Sequence, residues 1–100
     1  MLRMDALPVP SRTLGRYLEA ALWVLIALDG GPLGLPGLLD AVRALDGPIG
    51  HGTLLGAMSR LERLHLIDSG VLDSRSRVYR LTILGRAGAD AAAILRGRAT

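Results

Sequence analysis

Residues 20–28, "AALWVLIAL", are an unbroken apolar run set between Glu19 and Asp29. A membrane-spanning helix needs about 20 such residues, so the run predicts a helix buried within protein. A helix that is apolar nearly all round must be covered on more than one side. The rest of the chain therefore has to supply elements that surround this segment. The helix is expected over 13–28, with Ser11 or Thr13 as its cap. "DGGP" at 29–32 ends it, because glycine permits left-handed backbone and proline cannot continue a helix.

The surrounding elements follow from local patterns. Pro36 suits the first turn of a second helix over 36–45, whose apolar stripe is Leu38, Leu39, Val42 and Leu45. "DGPIG" at 46–50 is a turn, and a third helix covers 51–64. "LIDSGVL" and "RVYRLT" read as two short strands, with "DSRS" at 73–76 as the hairpin tip. Thr82 can cap a last helix over 83–96, "ILGRAGADAAAILR", whose alanines and glycines let another helix approach closely. Residues 1–12 carry "LPVP" without periodicity and are expected to form a flexible N-terminal arm. One domain then spans 13–97. The expected fold class is mainly α (α+β): a winged helix-turn-helix of three helices, a two-stranded wing hairpin and a C-terminal helix.

Composition narrows the function classes. The chain has 100 residues, enough for one domain. Half of them are hydrophobic and the mean hydropathy is +0.37, which is rich for so small a chain. Apolar surface is therefore expected to be buried against a second copy, as a homodimer. With no cysteine there is no disulfide and no thiolate metal site. The net charge is +3, and every basic residue is an arginine. The planar guanidinium fork suits phosphates and guanine edges, although genome base composition can produce the same bias. "MLRMDALPVP" has no apolar stretch long enough for a secretory signal, so the expected location is cytoplasmic, with no membrane partner.

The third helix, "GTLLGAMSRLERLHLI" with its continuation, carries the sharpest signal. At about 100° per residue, Leu54, Met58, Leu61 and His65 share one face, with Ala57 and Leu64 at its edge. The opposite side carries Gly52, Gly56, Ser59, Arg60 and Arg63, flanked by Thr53 and Leu55. A helix that reads duplex DNA needs this layout: an anchored face, short residues where backbone meets groove, then longer basic side chains for bases and phosphates. A solvated face with two arginines would look the same. Arg75, Arg77 and Arg80 on and beside the hairpin add weight to the phosphate reading, since such a wing can lie over the backbone or enter a minor groove.

No other constellation carries chemistry. His51 and His65 have no carboxylate cluster at ligand spacing, so no metal site is expected. His51 could touch a phosphate, and His65 closes the helix. The serines lack histidine and aspartate company, and the glycines at 30, 31, 34 and 37 follow no strand. The chain is not expected to be an enzyme or to use a cofactor. Trp23 in the first helix is a core residue, or part of a dimer seam or effector pocket. Leu18, Trp23, Ala91, Ile94 and Leu95 are the candidates for that interface or pocket, which would take a small apolar effector. Ala87, Ala91, Ile94 and Leu95 form one stripe of the last helix, and Ala89, Ala92 and Ala93 lie on its other side, which points to helix–helix contact across a dimer.

These motifs resemble the PadR-like winged-helix transcription regulators over about residues 14–96. The resemblance rests on Gly52-Thr53-Leu54, Arg60-Leu61-Glu62 and Leu66-Ile67. It extends to Tyr79, Leu81, Thr82, Gly85 and Arg86, and to "GPL" at 31–33. The family often has an aromatic where this chain has Leu55, a glycine where it has His65, and His-Gly-Tyr where it has Gly34-Leu35-Pro36. The resemblance implies a dimeric repressor on a palindromic DNA operator. With Thr100 as the last residue, a long C-terminal dimerisation arm is not expected, and the last helix would pair with the first. The alternative is a winged-helix protein–protein interaction module without sequence-specific DNA binding.

Overall fold

The computed structural model describes residues 17–71 and 76–95. The expected arm at 1–12, the caps Ser11 and Thr13, most of the hairpin tip and residues 96–97 lie outside the described residues. Among those described, four helices and three strands form a mixed α+β chain. The elements are α1 (Leu18–Leu28), β1 (Leu33–Gly34), α2 (Leu35–Asp46), α3 (His51–Arg63), β2 (Ile67–Val71), β3 (Arg77–Leu81) and α4 (Ile83–Leu95). This order is compatible with a winged helix.

The apolar run is surrounded as its composition demands. Ala20, Ala21, Leu22, Val24, Leu25, Ile26 and Leu28 are all buried. α1 packs against α2, α3 and α4, so three helices share the task of covering it. Leu18 and the line Glu19, Trp23, Ala27 reach the surface, with Leu18, Trp23 and Ala27 half-buried and packed on the core. Leu38 and Val42 anchor α2, and Leu54, Ala57, Met58 and Leu61 anchor α3. Pro36 stands in the first turn of α2, where its missing N–H leaves no helical bond unmade. Gly47, at φ 96°, closes that helix in a backbone conformation that side chains disfavour.

The sheet differs from the expected two-stranded hairpin. β2 and β3 pair antiparallel from Ile67 opposite Leu81 to Val71 opposite Arg77. β1 adds a third strand on the other edge of β3, Leu33 opposite Tyr79 and Gly34 opposite Val78. Two residues carry no periodicity, so only the proximity of β3 makes this segment a strand.

The end of α3 also departs from expectation. His65 does not continue the apolar face; it is exposed and lies in the left-handed region at φ 61°. The His65 N–H donates to the Glu62 carbonyl and the Leu66 N–H to the Leu61 carbonyl, each at 3.0 Å. This is the Schellman arrangement, with His65 where glycine is usual. The reversal turns Leu66 and Ile67 back into the core, where both are buried.

α4 then docks on this cap. The Thr82 N–H donates to the Leu66 carbonyl at 3.1 Å, and the Thr82 hydroxyl to the His65 carbonyl at 2.6 Å. The same hydroxyl accepts the Gly85 N–H at 3.0 Å, capping α4 as expected. A methyl on Gly85 would collide with the Leu66 carbonyl oxygen. Gly85, Gly88, Ala89 and Ala92 are buried and bring α4 close against α1. The small residues at 89 and 92, expected at a dimer contact, thus serve packing within one chain. Ala87 and Ile94 stay exposed, and Ala91 is half-buried.

Candidate nucleic-acid interface

The amphipathic pattern of α3 produces a divided helix. With Leu54, Ala57, Met58 and Leu61 buried, the outward side is left to His51, Gly52, Thr53, Leu55, Ser59 and Arg63, all exposed. Gly50, extended at φ −74° and ψ 150°, is its N-cap, and no side chain caps it. Before it, Arg43 donates from Nη2 to the Ile49 carbonyl at 3.3 Å, tying the α2–α3 turn to α2.

Gly56 and Arg60 have a neighbour that sequence reasoning did not anticipate. The ring of Tyr17, at the start of α1, lies on Gly56; a Cβ there would stand 2.5 Å from Tyr17 Cε1. The Arg60 guanidinium carbon sits 4.0 Å from the centroid of the same ring. Arg60 Nη1 also donates to the Gly56 carbonyl at 3.2 Å. Both residues are half-buried. Gly56 is small here because an aromatic ring occupies the space, which differs from the expected role of admitting a groove. Arg63, one turn on, is exposed and has no partner among the described residues.

The hairpin arginines are distributed by strand alternation. Arg77 shares a sheet face with Tyr79 and Leu81, Arg80 the opposite face. Arg80 Nε and Asp68 Oδ1 form a cross-strand ion pair at 2.7 Å between exposed side chains. Arg77 Nη1 donates to Ser69 Oγ at 3.1 Å near the end of the hairpin. Arg75 lies outside the described residues. One tether per arginine leaves other guanidinium donors unoccupied, since each has five N–H groups.

The residues expected at a dimer interface or effector pocket do not converge on one described cavity. Leu18, Trp23 and Ala91 pack partly on the core, Ile94 is 60% exposed, and the side chain of Leu95 lies outside the description. A groove of about 480 Å³ runs between α1, α2 and α4, with Ile26, Ala41, Leu45 and Ala89 in its wall; Leu18, Trp23, Ala91 and Ile94 do not line it. Among the described residues, no helix is long and apolar enough to cross a membrane. No protein-family model matches this chain, and no curated protein is significantly similar to it.

Proposed function

We propose that the chain is a winged-helix transcription regulator that binds duplex DNA as a homodimer, with α3 as the recognition helix and the β2–β3 hairpin as the wing. The observation that carries this reading is the divided helix: one side of α3 is locked into the core, and the other holds exposed Gly52, Thr53, Ser59 and Arg63 with half-buried Arg60 beside them. Short residues at the start of such a helix let its backbone approach base edges, and the arginines follow within reach of bases and phosphates. Arg77 and Arg80 on the hairpin add contacts to the backbone, and Arg75, outside the described residues, is expected to join them. The outer line of α4, with Ile83 at 93% and Ile94 at 60% exposure, is the apolar surface left for a second copy. Two recognition helices about 34 Å apart would read half-sites one helical turn apart, hence a palindromic operator, and occupancy of such a site represses.

The test is selection of bound duplexes from a random pool, followed by salt titration on the winner. A two-fold symmetric consensus is expected. Arg63→Ala is expected to weaken binding and to flatten the salt slope by about one unit if Arg63 meets a phosphate, or to cost roughly 1–3 kcal/mol at one base position if it reads an edge. A wild-type chain whose duplex binding ignores both sequence and Arg63 contradicts the proposal. Leu55, 44% exposed on the flank of the same side, favours a second reading, a module that binds protein through this surface. That reading predicts no salt-dependent duplex binding and loss of a protein partner on Leu55→Asp.

A further inference from the structure

Taking α3 as the DNA-facing helix, we infer that Tyr17 is a positioning residue for Arg60, holding its guanidinium face on the phenol ring so that its edge is presented to the groove. Three contacts converge on this arrangement. The ring rests on Gly56, where a methyl would have to push it aside. The Arg60 guanidinium lies over the ring at 4.0 Å. Arg60 Nη1 is tied back to the Gly56 carbonyl at 3.2 Å. Gly56 and Arg60 stand one helical turn apart on α3, so Tyr17, from the start of another helix, bridges the two.

A guanidinium has two kinds of surface. Its π face stacks on aromatic rings, and its rim carries the five N–H donors. Stacking on Tyr17 uses the face, and the bond to Gly56 uses one donor. The Nε/Nη2 edge is left with the parallel pair of N–H groups that fits O6 and N7 of guanine or two phosphate oxygens. A free arginine on a helix surface samples many rotamers and loses that freedom on binding; a stacked one has already lost it. Tyr17 therefore makes its contribution before DNA arrives, and it contributes to discrimination more than to general attraction. Arg63, with no partner among the described residues, has no such restraint, so the two arginines of α3 divide into a fixed reader and a mobile phosphate contact.

The test uses the full chain and compares Tyr17→Leu, Tyr17→Phe and Gly56→Ala, the last displacing the ring while keeping it. Without DNA, the Arg60 side-chain protons in the wild type and Tyr17→Phe are expected upfield-shifted by the ring in NMR spectra, and the shift should vanish in Tyr17→Leu. With the duplex selected above, Tyr17→Leu and Gly56→Ala are expected to lower specific affinity roughly three- to tenfold, with non-specific affinity and salt slope unchanged. Tyr17→Phe should bind as the wild type does. In an Arg60→Ala background, Tyr17→Leu should have no further effect. Equal loss in both backgrounds, or wild-type affinity in Tyr17→Leu, overturns the assignment while leaving DNA binding intact. A wild-type chain that binds no duplex overturns the DNA reading and this role together, even if the ring-shifted protons show the stacking itself to be present.

Discussion

His65 is the residue at which local and global requirements conflict. Its left-handed backbone costs an L-residue about 1–2 kcal/mol, and glycine would adopt the same angles freely. The side chain is exposed, so little packing offsets that strain. His65→Gly is therefore expected to stabilise the fold by about 0.5–1 kcal/mol, part of the relief being lost to the greater freedom of glycine in the unfolded chain. His65→Ala should bring no comparable gain, because alanine meets the same Cβ clash. Urea unfolding followed by Trp23 fluorescence would decide it; equal midpoints for His65→Gly and the wild type would show that the turn carries no strain.

At the scale of elements, the start of α4 rests directly on the backbone that follows α3. Thr82 satisfies the His65 carbonyl with its hydroxyl proton and the Gly85 N–H with its oxygen. Gly85 lets α4 lie directly on the Leu66 carbonyl. Thr82→Val keeps the shape and removes both hydrogen bonds, so a loss of about 1–2 kcal/mol is expected. Gly85→Ala forces backbone apart and should cost about 3 kcal/mol or more. Chemical denaturation of the two variants tests the joint, and a Gly85→Ala chain as stable as the wild type would show that α4 can slide freely. By contrast, the Arg80–Asp68 pair joins two side chains that are 63% and 50% exposed, and it contributes well under about 1 kcal/mol after solvent screening.

At the scale of the whole molecule, one long apolar run dictates a centre and three helices enclose it. The side of α4 made of Gly85, Gly88, Ala89 and Ala92 is consumed in that enclosure, which leaves Ile83 and Ile94 outward. The proposed homodimer therefore rests on the outward side of α4, where Ile83 and Ile94 are the large apolar residues, while Gly85, Gly88, Ala89 and Ala92 are taken up within the chain. Replacing both Ile83 and Ile94 with glutamate is expected to give a folded monomer by sedimentation and to weaken palindrome binding far more than half-site binding. A double variant that still sediments as a dimer would move the interface elsewhere. Exposed Leu84, at 48%, lies next to Ile83 and extends the same apolar area.

Much of this protein is written in short-range patterns. The four helices, the strands at 67–71 and 77–81, the Pro36 start, the Thr82 cap and the division of α3 into anchored and outward sides all follow from interactions within a few residues, where periodicity and capping act. Three features depended on residues distant in sequence. These are the pairing of Leu33–Gly34 with β3, the intrachain use of the α4 alanines, and the Tyr17 ring between Gly56 and Arg60. Tyr17 and Gly56 are far apart along the chain, and no pattern in either segment signals the other. What a residue type can do is local chemistry, but which neighbour it meets is settled only when apolar burial brings the elements together, and that closure is what turned Arg60 from a free surface charge into a held one.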